Sequence, residues 1–123
     1  MRETLGPRER IRRKSDFAHI YKKGIRLRSP YFSLIFLPGA SERSRLGVVA
    51  GRKVGGAVVR NRIKRWMRDD FRRNKTLLAR PFDIVVVART GIASLSRREF
   101  DGLFLAALGA VRLALPSPRA WLL

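Results

Sequence analysis

Residues 46–75 read LGVVAGRKVGGAVVRNRIKRWMRDDFRRNK, and this stretch decides the expected fold. Its first five residues, LGVVA, are largely apolar and β-branched, which predicts a strand. The glycine-rich connection 51–56 leads into a segment without Gly or Pro that holds eight cations and two acids from Arg60 to Lys75. The stretch therefore predicts a strand, a tight glycine-rich turn and a basic helix.

The basic helix has two different sides when it is wound at about 100° per residue. The apolar side carries Val59, Ile63, Trp66 and Met67. The polar side carries Asn61, Lys64, Arg65, Arg68 and Arg72. The first side is suited to docking on a protein core. The second presents forked guanidinium donors that match the oxygens of a phosphate two at a time.

The whole chain has the same cationic bias, with 28 Lys and Arg against 9 Asp and Glu and a net charge of +19 on 123 residues. Such a charge attracts nucleic acid whatever the fold. Most of the cations are arginines, which favours bidentate phosphate contacts but is also what a GC-rich genome produces. Because 46% of the residues are hydrophobic, we expect a single domain over residues 1–123 with one modest core, not a disordered tail.

The composition and the start of the chain exclude several classes of protein. The chain has no cysteine, which excludes disulfides, thiolate nucleophiles and Cys-based zinc sites and is compatible with a reducing cytosol. The first residues, MRETLGPRERIRRK, lack the apolar stretch of a signal peptide. No run approaches the roughly 18 apolar residues that a membrane span needs. We therefore expect a cytoplasmic protein that does not bind a membrane.

The remaining elements can be placed along the chain from local signals. Residues 1–14 are basic and interrupted by Gly and Pro, which predicts a flexible arm. Ser15 is expected to cap a helix over Asp16–Lys23. A capping box of Ser96 and Glu99 predicts a last helix that ends near Leu115.

Strands are predicted at 25–28, 31–37, 46–50 and 82–89. The last of these, FDIVVVAR, is a continuous apolar run that is expected at the centre of a sheet. The resulting order, α-β-β-β-α-β-α, predicts an α+β single-domain sandwich with helices on a small sheet.

No constellation of catalytic residues emerges from the sequence. The chain has one histidine, His19, which we interpret as a solvated residue, and nine scattered acids. Asp69 and Asp70 are adjacent on the basic helix and point about 100° apart, so pairing with neighbouring arginines is favoured over metal binding. The glycines of 51–56 lack the Lys-Ser or Lys-Thr of a phosphate loop. We predict no metal, cofactor or small-molecule substrate bound by the protein itself.

Phe17 and Tyr21 lie four residues apart on the first predicted helix, next to the basic arm. Aromatic rings beside cations are typical platforms for unpaired bases. They are equally suited to pack a short helix onto the core, and their spacing alone favours that second interpretation.

The sequence resembles the protein component of bacterial ribonuclease P, the ribonucleoprotein that removes the 5′ leader from precursor transfer RNA. The resemblance rests on SDFAHIYKKG at 15–24, SRLGVVAGRKVGGAVVRNRIKRWMRDDFR at 44–72 and FDIVVVAR at 82–89. The triplet Arg60-Asn61-Arg62 followed by Lys64-Arg65 matches the characteristic motif of that family.

The resemblance implies that a catalytic RNA subunit hydrolyses the phosphodiester bond with Mg²⁺, while the protein binds that RNA and the leader of the precursor. The positions implied to contact the catalytic RNA are Arg60, Asn61, Arg62, Lys64, Arg65, Arg68 and Arg72. The positions implied to hold the leader are Phe17, Tyr21, Arg52, Lys53, Arg12 and Arg13. The family fold implies a left-handed βαβ crossover and a likeness to domain 2 of the fifth small-subunit ribosomal protein.

Three features depart from the family pattern or stay unassigned. Asp70 replaces a usually small residue and projects toward the apolar side, so we expect an arginine or a backbone amide beside it. Gly56 replaces a residue that is usually more polar, and residues 116–123 receive no role. The competing hypotheses are a structural ribosomal-type RNA-binding protein and a stand-alone metal-dependent nuclease.

Overall fold

In the part of the chain that the structure describes, three helices and four strands follow one another in the predicted order, α-β-β-β-α-β-α. The computed structural model describes residues 5–39 and 41–114. The elements are α1 (Lys14–Lys23), β1 (Ile25–Arg28), β2 (Phe32–Pro38), β3 (Arg45–Val49), α2 (Ala57–Asn74), β4 (Phe82–Ala88) and α3 (Arg97–Ala114). Short 3₁₀ turns lie at Pro7–Glu9, Arg52–Val54, Lys75–Leu78 and Thr90–Ser94.

The four strands form one mixed sheet in the order β1-β2-β4-β3. β1 pairs with β2 and β2 with β4 in antiparallel register, whereas β3 and β4 are parallel and are joined through α2. The α+β class and the interior position of β4 are thus confirmed. The hand of the crossover and the likeness to the ribosomal domain stay predictions.

Helices cover both faces of this sheet, and alternate residues of each strand point to opposite faces. Leu34 and Phe36 of β2 join the larger core, which packs against α2 and α3. Ile35 and Leu37 join a smaller cluster beneath α1, together with Val85. Coverage on both faces explains why β4 is a continuous apolar run and not an alternating one.

The segment before α1 packs along the edge strand β3. Leu5 is buried in the larger core and Ile11 in the smaller cluster, so the segment packs against both faces of the sheet at its β3 edge. The Ile11 amide donates to the Leu46 carbonyl at 2.9 Å, and Glu9 is buried and paired with Lys75. The segment thus covers the edge strand at Leu46, which hinders pairing with another strand there. The flexibility expected for residues 1–14 stays a prediction, but residues 5–13 contact the domain.

The helix ends differ from expectation at one point. α1 begins at Lys14, with Arg13 at the capping position and no side-chain cap, so the prediction that Ser15 caps a helix from Asp16 was wrong. Once Ile11 is paired with β3, the Arg13 carbonyl already accepts from the amides of Asp16 and Phe17, which starts the helix earlier.

The capping box of α3 is confirmed. The Ser96 amide donates to Glu99 Oε1 at 2.9 Å, and the Glu99 amide donates to Ser96 Oγ at 3.1 Å. The end near Leu115 and the unassigned residues 116–123 lie outside the described residues. Among the described helices, none is apolar enough over a sufficient length to cross a membrane.

Candidate nucleic-acid interface

α2 presents a polar stripe to a groove and buries its opposite side. Ile63, Met67 and Phe71 have no exposed surface, which fixes the rotation of the helix on the core. The groove has a volume of about 290 Å³ and is lined by Leu5, Arg10, Asn61, Arg65, Arg68, Asp69 and Arg72. The residues from α2 recur every three or four positions and therefore lie on one face. The apolar and polar sides predicted from the sequence are confirmed.

Arg68 lines this groove and also lines a smaller neighbouring cleft with Arg10 and Arg12. Partial burial, followed by the positive charges of Arg10 and Arg12, lowers the pKa of Arg68 from its ordinary value. Guanidinium groups stay protonated in proteins even so. The cleft therefore concentrates positive charge in surroundings that hydrate it less than open water does.

The other cations of the motif lie on the flanks of α2. Arg60, Arg62 and Lys64 are half-buried, and the Nε atoms of both arginines lack a hydrogen-bond acceptor in the described part of the chain. The Arg62 guanidinium lies over the Trp66 ring, 5.4 Å from its centroid. The seven positions predicted to meet one RNA thus divide into a groove set of four and a flanking set of three.

The acids of α2 are neutralised locally. Asp69 accepts from Arg72 at 3.0 Å and from Arg97 at 2.8 Å, and Arg73 lies at 3.5 Å. The hydrogen bonds from Arg97 and Arg72 lower the pKa of Asp69 against the opposing effect of burial. The predicted pairing of these acids with arginines is confirmed, so Asp69 does not leave an unpaired negative charge in the groove.

Asp70 is 4% exposed and lies where α2 meets α3. Its Oδ1 atom accepts from Arg97 at 2.8 Å, which confirms the arginine expected beside it. Its Oδ2 atom is buried and receives no donor from the described residues. Burial, followed by a hydrogen bond with Asp101, raises the pKa of Asp70 to about 7. Against the opposing effect of burial, the same hydrogen bond lowers the pKa of Asp101, so Asp70 is the partner that holds the shared proton.

A second surface lies on the opposite side of the sheet, around α1. The Phe17 ring packs so closely over Gly47 that a Cβ added there would lie 2.8 Å from the ring. The Tyr21 ring is 6.3 Å from Phe17 and 36% exposed. The guanidinium of Arg26 lies 5.9 Å from the centroid of Tyr21. This arrangement joins a half-buried ring, an exposed ring and a cation, as a platform for an unpaired base requires.

The sequence comparison decides the family. The sequence model of the family Ribonuclease P matches residues 5–111, most of the chain. The chain belongs to the ribonuclease P protein family. Among relatives, the ribonuclease P protein component of Thermotoga maritima is 46% identical over 89 residues, covering 72% of this chain and 76% of that protein. That of Petrotoga mobilis is 39% identical over 101 residues, covering 82% of each chain.

Solved ribonuclease P proteins have the same fold. The ribonuclease P protein from Thermotoga maritima matches with a TM-score of 0.75 and 38% identity, over 83% of this chain and 96% of that one. The Staphylococcus aureus ribonuclease P protein matches with a TM-score of 0.72 and 30% identity, over 86% and 94% of the two chains.

The positions assigned to the leader from the ribonuclease P resemblance are not all in one place. Arg52 and Lys53 are exposed in the 3₁₀ turn that follows β3, and Arg13 is exposed at the start of α1. Arg12, in contrast, lines the cleft with Arg68. The described structure therefore brings one predicted leader residue to the side of α2.

Sequence reasoning assigned no role to two cations that belong to these surfaces, Arg10 and Arg26. The alternation Arg10-Ile11-Arg12 is the period of an extended segment with one buried residue, and this signal could have placed Arg10 beside the sheet. Arg26 carries no comparable signal, because its contact with Tyr21 depends on how β1 follows α1.

Proposed function

We propose that this chain is the protein subunit of ribonuclease P, which binds the catalytic RNA and the 5′ leader of precursor transfer RNA. In this proposal the RNA subunit hydrolyses the phosphodiester bond with Mg²⁺ and releases the leader as an endonuclease. The protein holds the two RNAs together and binds no cofactor of its own. It acts in the cytoplasm.

The observation that carries the proposal is the cationic groove on α2, in a chain matched by the family over residues 5–111. Arg65 and Arg68 are carried by a helix whose other side is buried, so the backbone that presents them is fixed before RNA arrives. Contacts of this kind to phosphates fix position without reading bases. They suit a partner that is held by its shape and charge.

The surface around α1 suits a single strand. A base can stack on the exposed Tyr21 ring, and stacking tolerates any base because each has a π-face. Arg26, beside the ring, adds a cation for the adjacent phosphate. The sheet separates this surface from the groove on α2, so the two RNAs can be bound at the same time.

In this proposal the protein assists cleavage by the catalytic RNA through its positive charge and through the positions in which it holds the two RNAs. Two RNA molecules repel each other, and a protein with a net charge of +19 between them reduces that repulsion. The same neutralisation is otherwise supplied by Mg²⁺. The protein should therefore tighten precursor binding and lower the Mg²⁺ concentration that cleavage needs.

Reconstitution tests the proposal. Precursor transfer RNA is mixed with Mg²⁺ and the purified full chain, with and without a bacterial ribonuclease P RNA. We expect no cleavage by the protein alone, and cleavage at the leader junction at lower Mg²⁺ when the protein joins the RNA. Cleavage by the protein alone would establish the stand-alone nuclease. No effect on the RNA's activity would favour the structural ribosomal-type protein.

A further inference from the structure

Three arginines from two distant parts of the chain converge beside β3. Arg10 and Arg12 come from the segment before α1, and Arg68 comes from the middle of α2. The three side chains line one cleft, with Ile11, Leu46 and Val48 as its other members. No ion pair involves any of the three within residues 5–39 and 41–114. The cleft is therefore a concentration of positive charge without a balancing acid from that part of the chain.

The contacts of the N-terminal segment hold Arg10 and Arg12 in this position. Leu5 is 4% exposed and Ile11 is 5% exposed, and they anchor the segment on the two sides of β3. The Arg10 Nε atom donates to the Leu5 carbonyl at 3.0 Å, which orients the guanidinium. The ion pair of Glu9 with Lys75 adds a link to the turn after α2.

This convergence is unfavourable in the free protein. Like charges repel, and partial burial of Arg68 reduces the hydration that would offset the repulsion. Acids elsewhere on α2 do not relieve it, because Asp69 is already engaged by Arg72 and Arg97. An anion with several acceptor oxygens would remove the repulsion, and the forked donors of arginine match a phosphate.

We propose that Arg10 and Arg12, together with Arg68, form a binding site for a backbone phosphate of the catalytic RNA. The proposal rests on the proposed function and adds two residues of the N-terminal segment to the surface that binds this RNA. It assigns Arg12 to the catalytic RNA instead of the leader. Because the phosphate contacts both the segment and α2, binding of the RNA also strengthens the docking of the segment on β3.

The location of the cleft favours the catalytic RNA over the leader. Arg10 and Arg68 also line the larger groove with Asn61 and Arg65, so the cleft is continuous with the face of α2. The Phe17 ring packs with the cluster on the opposite face of the sheet, and the Tyr21 ring lies 6.3 Å from that ring. A phosphate bound by Arg68 therefore belongs to the RNA that lies along α2, which is the catalytic RNA in the proposed function.

Binding of the full chain to a bacterial ribonuclease P RNA tests the site. The variants are Arg10→Ala, Arg12→Ala and Arg68→Ala, and the matched control is Arg8→Ala. Arg8 is an exposed cation of the same segment that lines a different groove with Arg43 and Arg45. We expect each of the three variants to weaken RNA binding by about fivefold to tenfold, against less than twofold for the control. The slope of the logarithm of the binding constant against the logarithm of the salt concentration should become shallower by about one for each phosphate contact that is removed.

A double-mutant cycle separates a shared phosphate from general charge. The combined Arg10→Ala and Arg68→Ala variant should bind more tightly than the product of the two single effects implies, because one phosphate serves both residues. Arg12→Ala removes an exposed side chain and one repulsive charge, so it should not lower the thermal unfolding midpoint, and a loss of binding there does not reflect unfolding.

Three results would overturn the inference. The first is an equal loss of RNA affinity in Arg8→Ala and Arg10→Ala. The second is strict additivity of the binding free-energy losses of Arg10→Ala and Arg68→Ala. The third is a loss of affinity for leader-bearing substrate without any loss for the catalytic RNA. In each case the unaltered chain still binds the catalytic RNA, and the proposed function stands. If the unaltered chain fails to bind that RNA, the proposed function itself is wrong.

Discussion

The Asp70 carboxyl group links the stability of the protein to pH. Its folded-state pKa is raised to about 7, chiefly by burial, so the folded protein keeps a proton that the unfolded chain loses near pH 4. Stability is therefore expected to fall as the pH rises from about 4 to 7. Asp69 and Asp101 have lowered pKa values, so their contribution to stability increases as the pH rises. That increase occurs below about pH 4 and does not offset the effect of Asp70 between about pH 4 and 7.

Replacing Asp70 with Asn tests this linkage. The amide reproduces the protonated acid, since its oxygen can accept from Arg97 and its NH₂ group can donate to Asp101. We expect Asp70→Asn to raise the free energy of unfolding at pH 8 by about 1–3 kcal/mol and to change it little at pH 4.5. Urea unfolding at several pH values measures this. A variant as pH-dependent as the parent would contradict the assignment.

Replacing Phe17 or Tyr21 with alanine should have different effects on the stability of the protein. Phe17 is half-buried over Gly47, so Phe17→Ala should lower the free energy of unfolding by about 2 kcal/mol as well as weaken leader binding. Tyr21 is exposed, so Tyr21→Ala should cost less than about 0.5 kcal/mol of stability.

Tyr21→Ala should nevertheless weaken binding of leader-bearing precursor roughly tenfold, from the loss of one stacked base. Affinities of the holoenzyme for precursor and for leaderless transfer RNA measure this difference, and leaderless transfer RNA should bind as before. An equal loss for both RNAs would remove Tyr21 from the leader site.

At the scale of elements, α2 offers a matched pair of cations. Arg65 is exposed in the groove, whereas Arg73 is exposed outside it and lies 3.5 Å from Asp69. We expect Arg65→Ala to weaken binding of the catalytic RNA by about threefold to tenfold, and Arg73→Ala by less than twofold. Equal losses in a binding titration would mean that net charge, and not the groove, determines affinity.

Replacing a glycine with alanine should have opposite effects on stability in α3 and at the end of α1. Gly102 lies inside α3 with nothing within 4 Å of an added Cβ, so Gly102→Ala should stabilise the protein by about 0.5–1 kcal/mol. Gly24, which ends α1, would place a Cβ 2.6 Å from the Ile20 carbonyl oxygen and 2.6 Å from Ile35. Gly24→Ala should therefore destabilise by about 1–3 kcal/mol. Thermal unfolding of both variants would test the packing of these elements.

At the scale of the whole molecule, a net charge of +19 predicts that binding of RNA weakens as the ionic strength rises. If six to ten phosphates are neutralised, affinity for the catalytic RNA should fall by roughly 10³ to 10⁵ between 50 and 200 mM salt on the duplex estimate. A single-stranded leader should show a shallower slope. Binding titrations at several salt concentrations measure both slopes. A flat dependence would contradict an electrostatic interface.

Sequence reasoning came closest for features that depend on neighbouring residues. The amphipathic division of α2, the apolar run of β4 and the capping box of α3 follow from periods of 3.6 or 2 and from residues three apart, so local sequence contains them. The start of α1 was missed because it depends on the pairing of Ile11 with Leu46, residues that are far apart in the chain.

The amino-acid sequence by itself therefore determined the element order, the cationic character and the two sides of α2, because these are properties of short windows and of composition. Only the tertiary structure decided which cations share a groove, that Arg10 and Arg12 meet Arg68, and that Arg97 donates to Asp70. The meeting of Arg10 and Arg12 with Arg68, and that of Arg97 with Asp70, joins residues 27 or more positions apart. Which of many distant partners meet depends on how the whole core packs, and no local periodicity records that choice.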